Sequence, residues 1–326
     1  MSSLNSTLSL NTTFVRPPFF FITGLNNMPY AKYYYVFLCF VFVVSVLGNS
    51  FVMFIIYTER SFHTPKYLAI FNLVVADLGE STALIPNLIA MFLFDSQYIS
   101  FDACLANMFF VFLFVTLQSL TLTVLAFDRL VAICSPLRYH AIITMQAMAV
   151  ILTAVWAYDS VLLILMVTLI TRLSFCKSIV VQSYFCDHGS IYTLACNDNL
   201  VNSIVAKLNM VLLLYLPLIL TLLSYVFIAD VLFKMASWEG RLKAIKTCSA
   251  HLMLVAVYYL PLMATYLCEI AFTINPNARI INTSFAKAIT PMLNPIIYVL
   301  NTEEVKEFSK NIFKRKQKKN TTQILK

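Results

Sequence analysis

Apolar residues along this chain gather in long blocks separated by short polar segments. Seven such blocks occupy roughly 33–57, 67–92, 104–134, 143–170, 200–232, 243–268 and 279–300. A helix crossing the hydrocarbon core needs about 20 mostly apolar residues at a rise of about 1.5 Å each. Every block reaches that length, and together they fill more than half the chain, leaving no room for a separate soluble domain. Alternation with a strand period is absent, which argues against an outer-membrane barrel. The pattern predicts an all-α membrane protein, a seven-transmembrane helix bundle. Residues 1–32 form a tail outside the bundle, 33–300 the bundle itself, and 301–326 a basic tail with a short amphipathic helix.

Composition agrees. The chain is 60% hydrophobic and 12% charged, against about 25% charged in a typical soluble domain. With the N-terminus outside, the cytoplasmic segments collect Arg60, Lys66, Arg129, Arg138, Lys234, Arg241, Lys243, Lys246 and the basic residues from Lys306 to Lys326. That is 16 of the 23 basic residues, as the positive-inside rule requires. The net charge of +8 is therefore mainly a topology signal. A basic tail beside a membrane faces anionic lipid headgroups, so nucleic acid is not expected as a partner. Asn5-Ser6-Thr7 and Asn11-Thr12-Thr13 are glycosylation acceptors in the outer tail; Asn282-Thr283-Ser284 fits the pattern but adjoins the seventh span. The first thirty residues lack a basic region followed by a long apolar core, and Phe19 to Ile22 is too short to be a signal peptide. The first span then serves as its own insertion signal.

Four of the eight cysteines fall on the outer side: Cys104, Cys176, Cys186 and Cys196. In an oxidising compartment they allow three pairings, and the residues alone do not choose among them. A Cys104–Cys186 bond would pin the long loop before the fifth span over the bundle, and Cys176–Cys196 would then close a smaller loop; this is the pairing expected. Cys39, Cys134 and Cys248 suit packing, and Cys268 has no assigned role.

Charge inside a span is costly and normally faces the bundle interior. Asp77 lies mid-way along the second span with Glu80 three residues on, and Lys287 lies in the seventh. The seventh span also holds Asn294-Pro295-Ile296-Ile297-Tyr298, where Pro295 frees a carbonyl and lets the backbone bend. The third span ends in Asp128-Arg129, followed by Ser135-Pro136-Leu137-Arg138-Tyr139.

Gly48-Asn49, His63-Thr64-Pro65-Lys66-Tyr67, the Asp77 motif, Asp128-Arg129 and Asn294 to Tyr298 resemble the rhodopsin-like G-protein-coupled receptors, over nearly all of the chain. Three features narrow the resemblance to odorant receptors. They are the run from Asp128 to Tyr139, the stretch Lys243-Ala244-Ile245-Lys246-Thr247-Cys248-Ser249-Ala250-His251, and the three-cysteine loop. Phe185-Cys186-Asp187-His188 and Leu194-Ala195-Cys196 are most similar to the fish-like, class I branch. The chain departs from the family at Leu130, where Tyr is usual, and at Lys66, where Met is common. Tyr258-Tyr259-Leu260-Pro261 replaces the Cys-Trp-x-Pro of amine and peptide receptors.

The resemblance implies a plasma-membrane switch with no chemistry and no cofactor or metal of its own. A small-molecule odorant and a stimulatory G protein that raises cyclic AMP are its partners. Arg129 would hold Asp128 at rest and meet the G protein when the sixth helix swings out. Tyr225, His251, Asn294, Pro295 and Tyr298 belong to the same switch, with Tyr225 and Tyr298 moving in and Pro217 and Pro261 acting as bends. A ligand must bind the open state more tightly to shift anything. The pocket is expected between the outer halves of helices three, five, six and seven. Helical phase offers Met108, Phe112, Val115, Thr116, Asn209, Leu213, Tyr259, Thr265, Tyr266 and Ala288 as its lining, a mostly apolar set suited to a small, partly hydrophobic molecule. Lys207, Glu269 and Arg279 fall nearer the rim.

Other classes fit less well. A transporter would carry internal repeats or broken helix pairs. A membrane enzyme would need a nucleophile–base set or a metal cluster, whereas His63, His140, His188 and His251 are divided between the two sides and no His-Glu-x-x-His occurs. A non-olfactory receptor of the same fold is the alternative. Finally, Lys287 is two turns before Asn294, so both share a face. That phase predicts an ion pair with Glu80; an anchor for an anionic ligand is the competing role, and solvation in a water-filled cavity the third.

Overall fold

The computed structural model describes residues 15–25, 28–94, 96–271 and 275–301. Seven long helices build the bundle: α1 (Ala31–Thr58), α2 (Pro65–Leu93), α3 (Phe101–Cys134), α4 (Met145–Thr168), α5 (Leu200–Lys234), α6 (Trp238–Ala271) and α7 (Pro276–Asn301). Their ends follow local chemistry more closely than hydropathy. Pro65 opens α2 at a position where its missing N–H costs nothing. Ser100 Oγ accepts from the Ala103 amide to start α3, and Thr144 Oγ1 from the Ala147 amide to start α4. For α6, the helix extends back through the polar Trp238-Glu239-Gly240-Arg241, five residues before the apolar block begins.

Among the described residues, six helices are long and apolar enough to span a membrane by length and composition. The seventh, α7, carries Arg279, Asn282, Lys287, Thr290 and Asn294 and is held by packing against α1, α2 and α6. α3 is the central helix, in contact with α2, α4, α5 and α6. Large apolar side chains such as Phe40, Leu47, Phe54, Val150, Val226 and Leu260 face outward. In water that surface would be an aggregation liability; in lipid it is the solvated face.

Prolines shape the interior through the carbonyls they leave unpaired. Pro295 lacks the N–H that would bond the Pro291 carbonyl four residues back. Asn49 Nδ2 of α1 fills that vacancy at 2.7 Å. Gly48 makes the approach possible, since a Cβ there would lie 3.1 Å from Pro295 Cβ. Pro261 likewise frees the Val257 carbonyl, which accepts from Thr290 Oγ1 of α7 at 3.3 Å. In α5, a π turn over Val211–Tyr215 ends two residues before Pro217, and the Pro217 carbonyl itself accepts from Thr123 Oγ1 of α3 at 3.1 Å.

One end of the bundle is closed by a small sheet absent from the sequence expectation. β1 (Phe19–Ile22) runs antiparallel to β2 (Tyr98–Ser100) and parallel to β3 (Val180–Val181), in the order β2-β1-β3. Part of the 1–32 tail is therefore built into the fold. Four residues carry too little alternation to announce a strand. Yet Phe20 and Ile22 are fully buried among Phe101, Phe175, Val181 and Ile191. Arg16 adds an ion pair to Asp102 at 2.9 Å and lies over the Phe101 ring. The 301–326 tail and its amphipathic helix lie outside the described residues beyond Asn301.

Candidate functional site

Two disulfides hold the long loop before α5 against the bundle. Cys104 at the start of α3 bonds Cys186, with Cα atoms 5.4 Å apart, and Cys176 bonds Cys196, with Cα atoms 5.8 Å apart. Asn107 of α3 reinforces the first anchor, its Oδ1 accepting from the Cys186 amide at 3.2 Å. The loop then folds inward as a short helix, His188–Tyr192, which Asp187 caps by accepting from the Ser190 amide and hydroxyl. Cys39, Cys134 and Cys248 are free thiols; the Cys268 side chain lies outside the described residues.

Beneath this loop is a cavity of about 730 Å³. Its walls come from the loop (Gln182, Tyr184, Phe185, Asp187), from Phe112 of α3, and from Leu262 and Thr265 of α6. Arg279, Ile280, Thr283 and Lys287 of α7 complete it. Of the ten residues expected in the pocket, Phe112 and Thr265 line this cavity. Tyr266 lies outside the described side chains. The remaining seven are elsewhere, each for a local reason. Met108 packs beneath Cys104 and Cys186, and Ala288 packs with Leu38 and Leu84. Thr116 Oγ1 donates to Asp159 of α4 at 2.8 Å. Asn209 Nδ2 donates to the Leu162 carbonyl, and Leu213 packs in the π turn against Leu117 and Leu163. Tyr259 Oη bonds Ser119 Oγ at 2.7 Å. Val115 faces a second cavity of about 10 Å³, near the size of one water, shared with Glu80, Gln118, Tyr258, Lys287 and Thr290. The cavity is thus shifted from α5 toward α7 and the loop.

The interior polar residues are brought together, though differently from expectation at one point. Asn294 Nδ2 donates to both Asp77 oxygens, at 3.1 and 2.9 Å. Ser45 and Ser81 bond each other beside them. Among the described residues no ion pair joins Glu80 to Lys287. Glu80 Oε2 accepts instead from Gln118 Nε2 at 2.6 Å. Lys287 Nζ stands over the Phe185 and Phe112 rings, 4.3 and 5.4 Å from their centroids. Helical phase put both residues on inward faces, but Gln118 of α3 reaches the carboxylate first. Asp159, which sequence reading missed, is fully buried on α4 with Thr116 as its donor. A lone acid within the block 143–170 was the signal available.

At the opposite end of α3, Asp128 is fully buried and Arg129 nearly so. Arg129 Nε and Nη2 both donate to Asp128 Oδ2, the first at 2.9 Å. Tyr139, in the loop after α3, donates its hydroxyl to Asp128 Oδ1 at 2.8 Å. Tyr225 of α5 bonds His251 Nδ1 of α6 at 2.6 Å, and His251 Nε2 lies 3.0 Å from the Leu122 carbonyl of α3. A carbonyl can only accept, so Nε2 carries the proton and Nδ1 accepts from Tyr225. Tyr225 is thus engaged with α6 in this structure. The Tyr298 hydroxyl is buried and unpaired among the described residues.

Residues 38–316 match the family described as olfactory receptor. Human olfactory receptor 52K1 is 32% identical over 95% of this chain and 99% of its own length. Human olfactory receptor 51F2 is 32% identical over 97% and 93%, and human olfactory receptor 1F1 is 31% identical over 91% and 95%. With that match over most of its length and seven packed helices, the chain belongs to the olfactory receptor family: it is a multi-pass membrane receptor of the G-protein-coupled class.

Proposed function

We propose that a small, partly hydrophobic odorant enters the cavity under the disulfide-held loop and switches the far end of the bundle to activate a stimulatory G protein, raising cyclic AMP. In this reading the loop end is extracellular and the Asp128–Arg129 end cytoplasmic. The observation that carries it is the double hold on Asp128, by Arg129 and by Tyr139. Breaking that hold releases a guanidinium and a loop together at one helix end. α3 connects the two sites directly, since Phe112 and Arg129 are about 25 Å apart along it at about 1.5 Å per residue.

α6 supplies the moving part. Leu262 and Thr265 line the cavity, while His251 binds α3 and α5 three turns away. Between them Pro261 removes a helical bond, so a modest change at the cavity can tilt the His251 end. The ligand must favour the tilted state by binding it more tightly, because equal affinity for both states moves no population.

Arg129→Ala tests the reading. Agonist-driven cyclic AMP should disappear while surface expression stays close to wild type. A variant that reaches the surface and signals normally would sink it.

A further inference from the structure

Lys287 stands where the two cavities meet. Its side chain lines the 730 Å³ cavity beneath the loop and also the 10 Å³ cavity shared by Glu80, Gln118 and Thr290. Two aromatic rings flank its nitrogen, and among the described residues no carboxylate comes within 4.0 Å of it. Two acids share its cavities, Glu80 the smaller and Asp187 the larger, and both are committed elsewhere. Glu80 takes the Gln118 amide, and Asp187 caps the His188–Tyr192 helix.

An ammonium withdrawn from water is costly, and aromatic faces offset only part of that cost. A carboxylate offset requires a partner that can reach the nitrogen, and the larger cavity is the open side. Arg279, Thr283 and Lys287 occupy positions i, i+4 and i+8 of α7, so one face of the helix lines the cavity from mouth to floor. Arg279, about 12 Å nearer the mouth, donates to the Gln182 carbonyl at 2.9 Å. An anion entering meets positive charge at both ends of this ladder. Phe112, Tyr184, Leu262 and Ile280 supply apolar wall for a short hydrophobic body.

We propose that Lys287 is the specificity-determining residue of the cavity, that it selects ligands bearing a carboxylate or similar organic anion, and that Glu80, facing the same ammonium across the small cavity, is the internal charge with which the ligand competes. The proposal rests on the cavity being the ligand site. It assigns each side of Lys287 a separate function: the ligand's anion is bound from the large cavity, and Glu80 competes for the ammonium across the small one. Removing the competitor should therefore strengthen anion binding.

The test is thermal stabilisation of the purified full-length receptor by hexanoate, octanoate and phenylacetate, each beside its own amide and alcohol. Carboxylates should raise the melting midpoint where the amides do not. Lys287→Met should erase that difference, and Glu80→Gln should lower the carboxylate concentration needed several-fold. The shift is read on purified receptor with no G protein present, which separates this proposal from the coupling reading. Equal shifts from acid and amide, or no carboxylate shift at millimolar concentration, would overturn the proposal. Stabilisation by the neutral members alone would do so too, while leaving the cavity as the ligand site. The acid-against-amide comparison on the wild-type receptor needs no variant, so a misfolded Lys287→Met does not weaken the test.

Discussion

His188 is buried at the foot of the disulfide-held loop, its ring 5.2 Å from that of Tyr192. Burial pushes its imidazole down from 6.5 to about 4, against the opposing pull of Asp187 and the Met166 backbone. The sign follows from which state binds the proton. Above pH 6.5 the ring is neutral folded and unfolded, and contributes nothing to the pH dependence. Between 6.5 and 4 the unfolded chain takes up a proton that the folded chain refuses, so stability falls as pH falls. Full loss corresponds to roughly 3 kcal/mol at about 1.4 kcal/mol per pH unit, about two-thirds of it reached by about pH 5. The melting midpoint of purified receptor should therefore drop on acidification through this window, and His188→Phe should flatten the drop. An identical pH profile for the two proteins would show that His188 is not the group responsible.

At the scale of elements, the contact between α1 and α7 combines three sequence features that mean little separately. A glycine in α1, an asparagine beside it and a proline in α7 become one joint: Gly48 admits Pro295, and Asn49 bonds the carbonyl Pro295 frees. Gly48→Val should force the helices apart, costing about 1–3 kcal/mol for overpacking and weakening the Asn49 bond as well. A lower melting midpoint and reduced surface expression are expected. Gly48→Ala, whose single carbon the proline ring must accommodate by a few tenths of an ångström, should be much milder. If valine is tolerated as well as alanine, the joint does not depend on close approach. This joint was only half legible in the sequence. The helices themselves were plain, because lipid demands about twenty apolar residues whatever their order. Helix ends were displaced by two to five residues where caps and prolines, not hydropathy, set them. β1 escaped notice because its partners, 98–100 and 180–181, are distant in the chain. The cavity was the least legible part. Phase identifies which side of a helix faces inward, but not which neighbour arrives there, so Thr116 went to Asp159 and Glu80 to Gln118.

For the whole molecule, the orientation proposed above rests on how basic residues are distributed between the two ends of the bundle. The loops and helix ends on the Asp128–Arg129 side carry Arg60, Lys66, Arg138, Lys234, Arg241, Lys243 and Lys246, and the tail beyond Asn301 adds eight more basic residues. In the proposed orientation this is the cytoplasmic end, the side on which such an excess of basic residues is expected. In that orientation the sheet end, with its two disulfides, faces the oxidising side. Asn5 and Asn11 lie outside the described residues but precede Val15 by only a few positions, and Val15 is bonded to Ser174 of the long loop. Both acceptors should therefore carry glycans, whereas Asn282 should not. Asn282 is inside α7 with its Nδ2 bonded to Thr265 of α6. The hydroxyl its motif requires, on Ser284, is buried against Tyr34 and the Ile280 carbonyl. Digestion with an N-glycosidase should sharpen and speed the receptor band on a denaturing gel. Asn5→Gln and Asn11→Gln should each account for part of that shift, and the double variant for all of it. A residual shift in the double variant would mean that Asn282 is used, and so that the end of α7 is free of α6 when the glycan is added. No shift in the wild-type chain, together with antibody access to a C-terminal epitope on intact cells, would reverse the orientation and place the positive ends of the helices outside.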